Sequence, residues 1–224
     1  MAIALASSGT QPTGNLSPSV TITIAVDDIL IAGYASDATG SSMSSYGSPL
    51  AQDVTNESTF DNQTFFAASG RATGSASSIV STCSATACAV VAAFSGVDTT
   101  TQNDATPVSA SSSSGVTSTG AMNITTATGG AMLALVVGVD GGTTDPTFSV
   151  SDGGAGLTWN YITSYESGGF RKLVIAYALK PSAGAITVTG NFGLTAGFGA
   201  CLYALKPAGG GGGSSPVLMG QAIF

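Results

Sequence analysis

The chain has 224 residues, of which 43% are hydrophobic and only 8% charged, against roughly a quarter charged in an ordinary soluble domain. It contains no histidine, which removes Ser-His-Asp and Cys-His nucleophilic machinery, a His general base and His metal ligands. Five basic against twelve acidic residues give a net charge of −7 and leave no electrostatic footprint for nucleic acid or an anionic membrane surface.

The length suits one large β-sandwich or two small domains. The longest apolar runs, Leu133–Val139 and Ala87–Phe94, fall well short of the roughly 18 residues of a membrane span. The opening segment, Met1–Asn15, has no basic region and too short an apolar stretch for a signal peptide, so synthesis in a cytoplasm without export by that route is expected.

No stretch shows helical periodicity. Apolar residues recur with period two, or in short runs bounded by Gly, Ser, Asp or Pro, and both are strand signals. Val20–Ile24 alternates, Asp27-Asp28 turns the chain, and Ile29–Tyr34 follows. Further strands are expected at Phe60–Ala68, Ser78–Thr82 and Cys88–Phe94, the last a continuous apolar run suited to burial on both faces. Asp98–Gly120, polar and Thr/Ser-rich with Pro107 inside, reads as a long connection holding a short edge strand. Strands resume at Met122–Thr126, Met132–Val139, Thr147–Val150, Leu157–Tyr165, Phe170–Leu179, Ala185–Thr189 and Phe198–Leu205. The fold class is therefore all-β.

An internal repeat is legible. Ile29–Asp37 matches Met132–Asp140 at an offset of 103, Ser78–Thr82 matches Ala185–Thr189, and Val90–Phe94 matches Ala200–Ala204. The expected architecture is one jelly-roll-like antiparallel β-sandwich of two repeated halves over residues 1–208. The halves are about 1–98 and 115–208, with 99–114 connecting them; two tandem immunoglobulin-like sandwiches are the alternative. Residues 209–215 form a Gly/Ser linker. The apolar tail 216–224 should be disordered unless it docks, and Pro216, Val217, Leu218, Met219, Ile223 and Phe224 are its candidate docking residues.

Candidate chemistry is sparse. Asp152–Gly156 superficially suggests a phosphate loop but has no Lys, so a β-turn is the reading. Asp140, Asp145 and Asp152 can be imagined around a Ca²⁺ ion, yet no Asp-x-Asp spacing occurs, and nothing singles out a glycosidase carboxylate pair. The expectation is no enzyme, no metal and no cofactor. Cys83, Cys88 and Cys201 make an odd count; three buried thiols are the plain reading, and a Cys83–Cys88 bridge across a hairpin loop is the alternative. Arg71, Arg171, Lys172, Lys180 and Lys206 read as solvated turn positions. Trp159, Tyr161 and Tyr165 alternate along one strand and share a face. That face is a glycan-stacking platform if exposed and core if buried.

Two motifs carry a resemblance. Phe94–Thr101 reads FSGVDTTT with Pro107 beyond it, and Ala204–Pro207 reads ALKP. The pattern resembles small stand-alone β-sandwich structural proteins of tailed bacteriophages and related bacterial surface modules, over roughly residues 3–208. The chain departs from it in having no tryptophan in its first half and in carrying Gln102–Thr106 before Pro107. The resemblance implies a virion location and no catalysis. The expected function is a capsid decoration (cement) protein or head fibre, homo-oligomeric, contacting the major capsid or other virion proteins. Its tail, and the N-terminal segment Ala2–Leu5 likewise, would serve as docking arms. Tail or baseplate association, or a carbohydrate-binding adhesive module taking host-surface glycans, are the alternatives. Neither nucleic acid nor membrane is an expected partner.

Overall fold

The computed structural model describes residues 2–58, 63–140, 144–166 and 171–209. Among these the secondary structure is strand throughout, with no helix. The first half contributes β1 (Ala4–Asn15), β2 (Ser19–Ile24), β3 (Ile29–Ser36), β4 (Met43–Ser45), β5 (Ala51–Ser58), β6 (Gln63–Arg71), β7 (Ala76–Val80), β8 (Thr82–Cys83) and β9 (Ala87–Ser95). The second contributes β10 (Asn103–Ser118), β11 (Met122–Thr126), β12 (Ala131–Asp140), β13 (Ser149–Ser151), β14 (Asn160–Glu166), β15 (Arg171–Lys180) and β16 (Gly184–Leu205).

The protein is an antiparallel β-sandwich built from two repeated halves. The large sheet of the first half runs β1-β9-β3-β6-β5, and that of the second runs β10-β16-β12-β15-β14. Each is overlaid by a smaller layer: β2 with β7 and β4 with β8 in one half, β11 and β13 on the first part of β16 in the other. Strand by strand the two orders are the same, with β16 doing the work of both β7 and β9.

The periodicities explain these layers. β2 and β11 alternate exposed and buried residues, as a strand covering one face must. β3, β9 and β12 are buried along essentially their whole length because they are covered on both faces. Three clusters result. A central one joins the two large sheets through Ile29, Ile31, Val90 and Phe94 of the first half and Val136, Ile175, Tyr203 and Leu205 of the second. Two outer ones lie beneath the covering layers, around Ile22, Tyr34 and Phe66 and around Ile124, Leu135 and Phe192. The large sheets approach closely where Phe65 sits on the register pair Gly138 and Gly199. A Cβ on Gly138 would lie 2.7 Å from the Phe65 ring, and one on Gly199 2.5 Å from its Cβ.

Several expectations need correction. Segment 99–114 is no connection, since β10 begins at Asn103 and pairs along β16 as an edge strand. Pro107 is tolerated there at a register shift between Ala105 and Val108. The second half therefore starts near residue 103 rather than 115. Ala2–Leu5 is no free arm: Ile3 is buried in the central cluster and Ala4 pairs with Ser95. In the repeat, Ile29 pairs with Phe94 and Met132 with Leu205, so Val90 corresponds to Cys201. The match of Val90 to Ala200 slips by one residue, which puts Ala200 on the outer face. With Val20 matched to Met122, their partners Ile79 and Val188 correspond, so the match of Ser78–Thr82 slips by two, which keeps the face. The expected strand starts at Phe60 and Phe170 lie outside the described residues.

Candidate functional site

The two motifs that carry the resemblance meet. β9 ends at Ser95, the chain continues through Gly96 and Val97, and Val97 bridges antiparallel to Pro207 just beyond β16. The Asp98 amide donates to the Lys206 carbonyl (2.8 Å), and the Ala208 amide donates to the Gly96 carbonyl (2.8 Å). The Lys206 amide donates to the Gln102 carbonyl (2.9 Å), so the residues by which this chain departs from the pattern take part as well. The Asp98 carboxylate accepts the amides of Thr100 and Thr101 at 2.9 and 3.0 Å and pairs with Lys206 Nζ at 3.1 Å. These bonds hold its carboxyl at about 2, below the ordinary carboxylate value: the Thr101 and Thr100 amides act most strongly, then Lys206. Gly96 has φ +74°, and a Cβ there would meet the Ala2 carbonyl at 2.5 Å, so the SGVD glycine is required by conformation and by space. The joint ties the last strand of one half to the last strand of the other.

The aromatic strip divides. Trp159 is half-buried against the outer cluster of the second half. Tyr161 is 43% exposed and meets Phe148 edge-on at 6.1 Å. Tyr165 is half-buried. Between them Ile162 turns inward to the central cluster. The strip thus lies on the outer face of edge strand β14, with Tyr161 its most open member. Phe148 is half-buried beside it.

The acidic residues do not converge. Asp145 pairs with Lys172 at 2.9 Å. Asp152 loses solvation, which raises its pKa, but the amides of Leu157 (2.7 Å) and Gly156 (3.3 Å) outweigh this and lower it. That is the closed β-turn expected of Asp152–Gly156. Asp27-Asp28 is also a turn: Asp28 accepts the Ala25 amide (2.9 Å), and Asp27 pairs with Arg71 (2.6 Å). Among the described residues no group of three or more His, Cys, Asp or Glu side chains is placed to hold a metal.

Arg71 is exposed as expected, but Arg171 and Lys180 are not the solvated turn positions expected. Arg171 is 1% exposed and reaches across to the first half, donating to the carbonyls of Thr86 (3.2 Å) and Ala35 (3.4 Å). Lys180 is buried at the end of β15 and donates to the Ser182 carbonyl. All three cysteines are free and buried. Cys83 belongs to an outer cluster and Cys88 to the central one, so they lie on opposite sides of the sheet and are not bridged. Burial pushes the thiols of Cys88 and Cys201 up to about 11 and 12, values of inert thiols rather than nucleophiles. Tyr203, also buried, donates to Asp53 (3.0 Å) and has its pKa raised, chiefly by burial.

Comparison with family models, curated proteins and solved structures finds no match. The tail residues Pro216, Val217, Leu218, Met219, Ile223 and Phe224 lie outside the described residues. The structure also reveals a surface that the sequence reading missed. Leu179, 44% exposed, stands in a groove with Met132, Leu157, Tyr177 and Pro181. Its only sequence signal is its parity with the inward row of β15.

Proposed function

We propose that this is a non-enzymatic structural virion protein of a tailed bacteriophage, a capsid decoration protein or head fibre. The observation that carries the reading is the joint of Ser95–Asp98 with Ala204–Pro207. The residues behind the resemblance act together at the point where the halves close, which is how a fold signature behaves. Three features support it. The strand order of each half, β1-β9-β3-β6 beneath β2-β7 and β4-β8, suits a jelly roll. Long Ser/Thr-rich β10 leaves one sheet edge weakly charged, and such an edge offers little resistance to association with a neighbour. The apolar segment 216–224 follows a Gly/Ser linker and suits a docking arm.

The test incubates the full chain, and a chain truncated after Ala208, with capsids from which the protein has been omitted. Binding by the full chain that the truncation abolishes is the expected result. Binding by neither contradicts the reading. A second reading, an adhesive module, draws on the exposure of Tyr161 beside Phe148; a Tyr161→Ala variant that loses retention on immobilised glycans would favour it.

A further inference from the structure

The inward row of β15 runs Leu173, Ile175, Tyr177, Leu179 by period-two parity. Leu173 and Ile175 are fully buried in the central cluster and Tyr177 packs against it, its ring meeting Phe94 edge-on at 5.7 Å. Leu179 extends the same row but is 44% exposed, so the core continues one residue beyond its cover. Leu179 lines two adjoining concavities. One, of about 400 Å³, includes Met132, Leu157, Tyr177 and Pro181. The other includes Ala2, Gly130, Pro207 and Gly209. The second is therefore lined by the last residues described before the linker.

The geometry points to this groove as the docking site of the chain's own segment Pro216–Phe224. Composition and reach support that occupant. Val217, Leu218, Met219, Ile223 and Phe224 are apolar, as are the principal lining side chains. Gly210–Ser215 adds six Gly and Ser residues, a reach of up to about 20 Å for an extended chain, measured from Gly209 in the wall of the groove. A short flexible tether gives an own-chain segment an effective concentration near the millimolar range, which a second copy matches only in concentrated solution. In the free protein the segment covers Leu179. When a neighbour offers a better surface, the segment exchanges one apolar contact for another. The inference is independent of where the protein sits, so failure to bind capsids would leave it standing.

The test is hydrogen–deuterium exchange of the full-length chain in dilute solution. Amides of 217–224 should exchange about tenfold or more below free-peptide rates, to the same degree at every protein concentration. That protection should vanish in Leu179→Asp, whose site is already exposed to water. It should vanish equally in Phe224→Asp, which alters only the tail. Free-peptide rates in the unaltered protein overturn the inference. So does protection that survives Leu179→Asp, and so does protection that grows with concentration, which would assign the groove to a second copy.

Discussion

Phe65 and the two glycines beneath it set the distance between the halves. Because the added Cβ would meet the base of the Phe65 side chain rather than a flexible end, Gly199→Ala should destabilise the protein by about 1–3 kcal/mol, read as a lowered denaturant midpoint at unchanged slope. Asp98 gives a pH-dependent counterpart. Its carboxyl is held at about 2 in the folded chain, against about 3.9 in an unfolded one. Its contribution is thus complete above about pH 4 and is lost as pH falls through about 2. The Tm of the unaltered protein should drop more steeply between pH 4 and 2 than that of Asp98→Asn; equal slopes would show that the joint carries no such linkage. The thiols offer a third check. With Cys83, Cys88 and Cys201 free and buried, none should react with an aromatic disulfide reagent at pH 8 in the native protein, and all three should react once it is unfolded. Fewer than three on unfolding would reveal a bridge.

The covering strands are integral to the fold, because each large sheet is apolar on both faces. Ile22→Ala in β2 should therefore cost about 2–5 kcal/mol, comparable with a truncation in the central cluster; a loss below about 1 kcal/mol would make that layer an ornament. Strands of this kind were legible because they alternate or are wholly apolar: β2, β3, β9, β11 and β12 stand within a residue or two of their sequence bounds. β1 and the full length of β10, expected only as a short edge strand, were not, and the reason is physical. Both are edge strands of small and polar residues with little burial contrast along them, so their membership rests on backbone pairing rather than on side-chain pattern. The repeat was legible as an order of strands but not as a register. Ala, Val, Cys and Leu recur so densely in the closing strands that a one-residue slip still matches, although it reverses the face. Arg171 and Lys180 misled for the opposite reason. A basic residue reads as solvated from sequence, and only the carbonyls that the fold gathers around it make its burial tolerable.

At the scale of the whole molecule the halves behave as one body, because the central cluster takes residues from both and the joint at Asp98 and Lys206 closes them. Unfolding followed by the fluorescence of Trp159, which reports on the second half, should coincide with unfolding followed by far-UV circular dichroism, which reports on both. Two separated transitions would mean that each half is stable by itself. The function was less legible than the fold, since the assembly role proposed above would work through surfaces, and surfaces leave no motif comparable to a catalytic constellation. What the sequence did offer was FSGVDTTT and ALKP, two short motifs far apart in the chain that the fold joins. The most direct test of the proposed virion role is therefore quantitative mass spectrometry of particles purified from phage grown with the chain present. The account predicts the protein in the particle, in a fixed ratio to the major capsid protein; its absence from particles, with the chain found only in the infected-cell lysate, would contradict it.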